Sequence, residues 1–356
     1  MVQLQGAGQN PSHAIAVARC GYDLAIEPLA CDQINSLIDF RARLAAAAEG
    51  AGQRPTADQL IQFGHMLFTF TVRRTIETIY NRLPNSHIRL HIYSNRPDLQ
   101  ALPWEYLQQP GTTPGPNSLR SVVRIVPTIG VEPQDPLKLD KALRMLFVYA
   151  EPVDQTAVAW LDIKESIERE FQVRLPDNFQ LDLVQGATRQ SLFDALDTKP
   201  YDVLNFAGHG ELASDGTGHL LLKDFKTQKS DPISASQLGL LLRNKNLRLL
   251  MLSACSTSGG DFAKEFAVLA KTVVQSGVPA VVANQFPVTN SIAAKFAGAF
   301  YKELLRSGDV DQATTNGRIA LAFEPPLPGG AARFEWGIPT VYRHVGAAQI
   351  FDRGSG

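Results

Sequence analysis

Apolar positions along the chain follow a helical rhythm first and a strand rhythm later. "INSLIDFRARLAAAAE" (34–49) and "ADQLIQFGHMLFTFTVRRTIETIYNRL" (57–83) repeat their apolar residues at helical spacing and predict two helices. "HIRLHIY" (87–93) alternates Ile88, Leu90 and Ile92 with polar neighbours, the pattern of a half-buried strand, and "SVVRIVP" (121–127) predicts another. "GTTPGPNS" (111–118) reads as an exposed loop, and "EPQDPLKLDKA" (132–142) as a connector rich in proline and charge. The connector marks the expected boundary between an N-terminal supporting lobe, residues 1–132, and a second domain, residues 143–356.

From residue 143 apolar runs alternate with helix-period segments. That order predicts an α/β fold with a mostly parallel sheet flanked by helices on both faces. The expected strands are 143–150, 179–184, 201–207, 247–253 and 279–284. Between the first two, Ile163, Ile167 and Phe171 recur along one helical face. Thr188 stands where it can cap the next helix, "TRQSLFDAL". Two further helices are expected over 291–308 and 309–323, and no repeat of solenoid period is present.

Composition narrows the function. A chain of 356 residues exceeds the size at which one core usually stops growing. With 34 basic and 35 acidic residues it carries no surplus for neutralising phosphates, so no direct nucleic-acid partner is expected. Three cysteines, Cys20, Cys31 and Cys255, are too sparse for a disulfide framework and suit a reducing compartment. No apolar run approaches the roughly 18 residues of a membrane span and the N-terminus lacks a signal-peptide pattern, so the expectation is a cytoplasmic chain with no membrane partner. His219 and the other histidines show no metal-ligand grouping, "ELASDGTGHLLLKD" (211–224) has the spacing of neither a phosphate loop nor a calcium loop, and no cofactor is expected.

Two stretches carry candidate chemistry. "YDVLNFAGHG" ends an apolar run on His209 between two glycines, and "LLMLSACSTSGG" does the same for Cys255. Functional groups of open parallel sheets collect beyond the carboxyl ends of the strands. Just past two such strands, His209 and Cys255 share one rim and can meet if the strands are neighbours. A thiolate is the attacking species and an adjacent imidazole can generate it, so the pair suits nucleophilic catalysis. Singly, each residue also has an ordinary reading: a buried small side chain for Cys255 and a turn residue for His209. Their separation is close to the roughly 50 residues by which the histidine precedes the cysteine in caspases.

"NFAGHGEL" and "LLMLSACSTSGG" resemble the histidine and cysteine boxes of the CHAT family, caspase-like cysteine proteases of the clan that includes separase, metacaspases and gingipains. "LPWEYL" (102–107), "GVPAVVANQFPVTNSIAAKFAGAFYKELL" (277–305) and "ATTNGRIAL" (313–321) follow the family in the same order, so the resemblance spans nearly the whole chain. It implies a caspase-like catalytic domain over 143–356 and a degenerate caspase-like lobe over 1–132, with "LPWEYL" where the two meet. It implies an endopeptidase in which Cys255 attacks and His209 is the base, with the backbone N–H groups of Gly210 and Cys255 as the oxyanion hole. No third side chain is evident, and a backbone carbonyl is the candidate to orient the imidazole.

Substrate-binding candidates are Glu211, Ser253, Asp261 and Asn290. Relatives resembling separase place carboxylates in a loop that reads "NQFPVTN" here, with Phe286, Pro287 and Asn290 at the informative positions. Ser253 stands where metacaspase-type boxes carry an acid. A basic specificity pocket therefore does not follow from this loop, and Asp261 or Glu211 would have to supply the charge. Asn290 or Thr289 has the alternative role of capping the following helix. The resemblance further implies a protein or peptide substrate, regulation by a separate sensor or activator, and a role in bacterial stress, cell-death or anti-phage signalling. A catalytically silent interaction module is the competing reading. An α/β-hydrolase-type thioesterase fits least, because it needs a nucleophile elbow followed by its histidine.

Overall fold

The computed structural model describes residues 2–6, 14–20, 23–29, 33–72, 74–81, 88–92, 97–112, 115–128, 134–139, 142–256, 262–325, 327 and 331–352. The first part of the chain contains β1 (Val2–Gly6), β2 (Ala14–Cys20), β3 (Asp23–Pro28), α1 (Ile34–Ala48), α2 (Ala57–Thr71), α3 (Arg74–Asn81), β4 (Ile88–Ile92), α4 (Pro97–Ala101) and β5 (Arg120–Ile125). There follow β6 (Leu137–Lys138), β7 (Leu143–Tyr149), α5 (Trp160–Arg174), β8 (Phe179–Gln185), α6 (Arg189–Thr198), β9 (Val203–Leu212), β10 (Gly218–Lys223), β11 (Ser230–Ser234) and α7 (Ala235–Leu242). The last part holds β12 (Leu249–Ser256), α8 (Phe262–Gln275), β13 (Ala280–Asn284), α9 (Asn290–Ser307), α10 (Val310–Ala322), β14 (Pro339–Arg343) and β15 (Phe351–Asp352).

One large sheet runs through the molecule in the order β8-β7-β9-β12-β13-β14-β5-β4-β1-β2-β3, and the β10–β11 hairpin continues alongside the far half of β9. The pairings β8–β7, β7–β9, β9–β12 and β12–β13 are parallel, as are β14–β5, β5–β4 and β4–β1. β14, antiparallel to β13, carries the sheet across the expected 132–143 boundary by pairing with β5.

Alternation along the central strands divides the core. Met145, Phe147 and Tyr149 face the cluster built on Ile163, Ile167, Phe171 and Phe300, whereas Leu146 and Val148 face the cluster of Leu192, Leu238 and Leu269. α5, α9 and α10 therefore cover one face, and α6, α7 and α8 the other. Thr188 caps α6 as expected, accepting from the Ser191 N–H.

Three local expectations differ from the fold. The segment 57–83 is two helices, because Val72 adopts extended dihedrals after Thr69 and Thr71 have bonded back to the His65 and Leu67 carbonyls. The connector contributes β6, whose two residues pair with β15 at the far end of the chain. Strands β9 and β12 run to Leu212 and Ser256, so His209 and Cys255 lie within strands rather than beyond them. Glycine is depleted in strands, which is why "AGHGEL" reads as a strand end. Gly208 belongs there for close approach: a Cβ on it would stand 2.9 Å from the Phe206 ring and 3.4 Å from the Ala150 carbonyl.

A buried charge cluster holds the β4–β14 region. Arg343 donates through Nε and Nη2 to the Asp311 carboxylate, both at 2.7 Å, and Arg89 donates to the same group at 2.9 Å. His91, 6% exposed, lies 3.3 Å from Arg343 Nη2. Burial, reinforced by the Arg343 charge, lowers the His91 pKa from 6.5 to about 4. The fold thus keeps His91 neutral while the unfolded chain takes up a proton below about pH 6.5. Stability from this residue is complete above that pH and falls away between pH 6.5 and 4, by up to about 3 kcal/mol. Urea midpoints at pH 7 and pH 5 should therefore differ more in the wild type than in His91→Gln, and equal differences would remove His91 as the source.

Candidate active site

β9 and β12 pair in parallel over eight residues, from Leu249 opposite Val203 to Ser256 opposite Gly210, and the register sets position 255 opposite His209. The sequence required these strands to be neighbours, and they are. Both are central, and their side chains are buried up to Ala207 and Leu252, all of them apolar except Asn205, as befits strands covered on both faces. His209 is 2% exposed and Gly208 and Gly210 are buried beside it.

The imidazole has a main-chain partner that no motif announces. Nε2 of His209 lies 2.7 Å from the carbonyl oxygen of Thr156, in the loop between β7 and α5. A carbonyl only accepts, so Nε2 carries the proton and the lone pair of the neutral ring sits on Nδ1. The loop starts beside the site because Ala150 N–H bonds the Ala207 carbonyl at 3.1 Å. Its far end is held by Trp160, stacked on Tyr149 with centroids 4.9 Å apart. Sequence reasoning reached the class of this partner, a backbone carbonyl, but not the residue, since main-chain atoms leave no residue-type signal.

The other candidates scatter along the same rim. Gly210 is flanked by Ser256 of β12 and by Leu220 of β10. Glu211, next on β9, is half-buried and pairs with His219 in the hairpin. Ser253 is buried opposite Ala207, one pair of residues before position 255. Asn290 is the first residue of α9, at the end of the loop following β13 and thus on the opposite side of β12 from His209. Thr289 is the N-cap of that helix by position but makes no side-chain cap bond, its hydroxyl lying 3.1 Å from Ser291 Oγ. Asp261 lies outside the described residues. Among the described residues no group of three or more His, Cys, Asp or Glu side chains gathers as a metal site, and no helix is long and apolar enough to cross a membrane.

"LPWEYL" and "NQFPVTN" meet in the core. Trp104 is fully buried and its indole N–H donates to the Leu99 carbonyl at 2.8 Å. Glu105 Oε2 accepts from Arg124 Nη2 at 2.9 Å and from Gln285 Nε2 at 2.8 Å, and Gln285 also donates to the Gly337 carbonyl. Phe286 is fully buried. With Asn284 also buried, three of the seven residues of this loop are committed to internal packing, which leaves Pro287 to Asn290 as its outward part.

A large, mostly parallel sheet flanked by helices on both faces is the architecture of caspase-like proteases. A family model described as "CHAT domain" matches residues 64–327, and the chain belongs to that family. No curated protein matches it. Among solved structures, the chain is similar to the Arg-specific cysteine proteinase gingipain R (RgpB), at 14% identity and a TM-score of 0.51, covering 90% of this chain and 76% of that one. The complex of the pro- and mature domains of Porphyromonas gingivalis RgpB matches at 12% identity and a TM-score of 0.50, covering 90% and 77%. The Saccharomyces cerevisiae separase–securin complex aligns at 13% identity and a TM-score of 0.41, covering 89% of this chain and 22% of that one. The shared property is the fold.

The Glu105 link has a measurable consequence. Replacing it by alanine leaves the buried Arg124 charge with neutral acceptors alone, the Gln100 and Leu102 carbonyls and Gln285, and loss of one partner of a buried pair costs about 3–5 kcal/mol. Glu105→Ala should unfold at clearly lower urea than wild type; an unchanged midpoint would show that Arg124 finds another partner.

Proposed function

We propose that the protein is a cysteine endopeptidase in which Cys255 is the nucleophile and His209 the general base. The observation that supports this most directly is the in-register pairing of positions 209 and 255, joined to a carbonyl that fixes the His209 tautomer. With Nε2–H bonded to Thr156, the role of general base for the thiol proton falls to Nδ1. The Cys255 thiolate then attacks the scissile carbonyl, forming a thioester as His209 returns the proton to the departing amine. Water, deprotonated by the same nitrogen, cleaves the thioester and restores the thiol.

The backbone N–H groups of Cys255 and Gly210 are the proposed donors to the tetrahedral oxyanion. Both residues stand inside paired strands. Activation by a partner or a cleavage is the regulation that the family resemblance implies for such an enzyme. Residues 1–132 act in this reading as a supporting lobe. The substrate is a protein or peptide; Glu211, Ser253, Asp261 and Asn290 are the residues proposed to shape its site. A cytoplasmic setting in bacterial stress, cell-death or anti-phage signalling, with a separate sensor, extends the family resemblance.

Cleavage of a diverse peptide library by wild type and Cys255→Ala, with and without host-cell lysate as a source of activator, tests the proposal. Wild type should cut, and Cys255→Ala should lose a factor of roughly 10³ or more. The residue preceding each cut then reports whether a basic side chain is accepted without carboxylates in "NQFPVTN". If neither protein cuts under any condition and both bind the same partner, the chain is an interaction module.

A further inference from the structure

Pro152 and Val158 anchor the two ends of the Thr156 loop by burial, but Thr156 and its neighbours Val153 and Asp154 are exposed, and still the Thr156 carbonyl is held at hydrogen-bond distance from a buried imidazole. Polar contacts with the β10–β11 turn supply the constraint. Asp154 Oδ1 accepts from both the backbone N–H and the hydroxyl of Ser230, each at 2.9 Å. Val153 N–H donates to the Gln228 carbonyl at 2.9 Å and Gln155 Nε2 to Ser230 Oγ at 3.2 Å. Within the loop, Gln155 N–H closes a turn on the Pro152 carbonyl at 3.1 Å.

The receiving turn is itself tied down. Asp224 Oδ1 accepts from the N–H groups of Lys226 and Thr227 and from the Thr227 hydroxyl, and Gln228 sits in the left-handed region at φ 61°. The same hairpin pairs with β9 at His209 itself, through Leu221. A closed circuit results: His209, along the β9–β10 ladder to the turn, through Ser230 to Asp154, and by Thr156 back to His209. The joint between the turn and the Thr156 loop is the Asp154 carboxylate.

We propose that Asp154 is a positioning residue for His209: clamped on Ser230, it fixes the Thr156 carbonyl that keeps the imidazole proton on Nε2. The proposal rests on the peptidase reading for its kinetic consequence and on the geometry alone for its effect on the ring. Hydrogen bonds from Ser230 outweigh the opposing desolvation and hold the Asp154 carboxyl below the usual range, so the acceptor is ionised at neutral pH.

The test compares Asp154→Ala and Asp154→Asn with wild type. Alanine removes the acceptor, whereas the asparagine amide oxygen still accepts from Ser230. Asp154→Ala should lower kcat about tenfold to a hundredfold with KM changed less than about twofold, and Asp154→Asn should recover most of the loss. Nitrogen-15 spectra of the imidazoles in a Cys255→Ala background, with His209 assigned by its loss in His209→Gln, give a second readout. They should show the Nε2–H tautomer with Asp154 intact and a mixed ring in Asp154→Ala. An unchanged tautomer and kcat in Asp154→Ala overturns the proposal even if melting falls, and so does Asp154→Asn as impaired as alanine. A wild type that cuts nothing defeats the peptidase reading instead, and the tautomer then decides the clamp by itself.

Discussion

The parallel, in-register pairing of β9 with β12 is the constraint on which the site depends. Because side chains alternate along a strand, a slip of one residue would send position 255 to the other face of the sheet. Register is protected by burial: Val203, Leu204, Leu249 and Leu250 fill two separate cores, so a slip would exchange the contents of both. Hydrophobic packing at the base of the strands thus sets the chemistry at their ends. The glycines flanking His209 let β9 continue past its apolar stretch and receive β10 on the side that β7 vacates.

The first and second halves of the chain are joined by backbone pairing and by buried charge together. β5 and β14 pair over only two residues, a short seam for a sheet of this size. Around it Arg124 joins Glu105 and Gln285, and Arg343 joins Asp311, each a group whose burial would be costly unpaired. Gln285 is the first residue after β13, so Glu105 on the first half of the chain braces the start of the loop that borders the proposed substrate site. Tyr106 extends the seam, its hydroxyl donating to the Phe334 carbonyl while its ring packs against Trp336. "LPWEYL" is in this sense a structural keystone, with Trp104 fully buried in it.

The strands of the second half were legible because apolar residues predominate in each, alternating with Gln180 and Asp182 in β8, and the helices because Ile163, Ile167 and Phe171 repeat at helical period. Strand ends were not, since "AGHGEL" contains two glycines and its pairing partner, β10, lies later in the chain. β6 was invisible for a related reason: two residues in a proline-rich segment become a strand only when β15 arrives beside them. His209 and Cys255 announced themselves by residue type and position. Thr156, Asp154 and Ser230 did not, because a carbonyl has no sequence signature and surface Asp–Ser contacts are common. Coupling between loops far apart in sequence becomes evident only in the folded chain.

Whether His209 and Cys255 act as one unit is the central claim, and the reactivity of the thiol measures it most directly. The rate at which iodoacetamide alkylates the peptide containing Cys255 would be followed against pH by mass spectrometry, in wild type and in His209→Ala. An imidazole within reach lowers the apparent pKa of a thiol from its ordinary value of about 8.5. The account predicts a lowered value in the wild type that returns to about 8.5 or above in His209→Ala. The same value in both proteins would contradict it, leaving two residues that share a rim without sharing a proton.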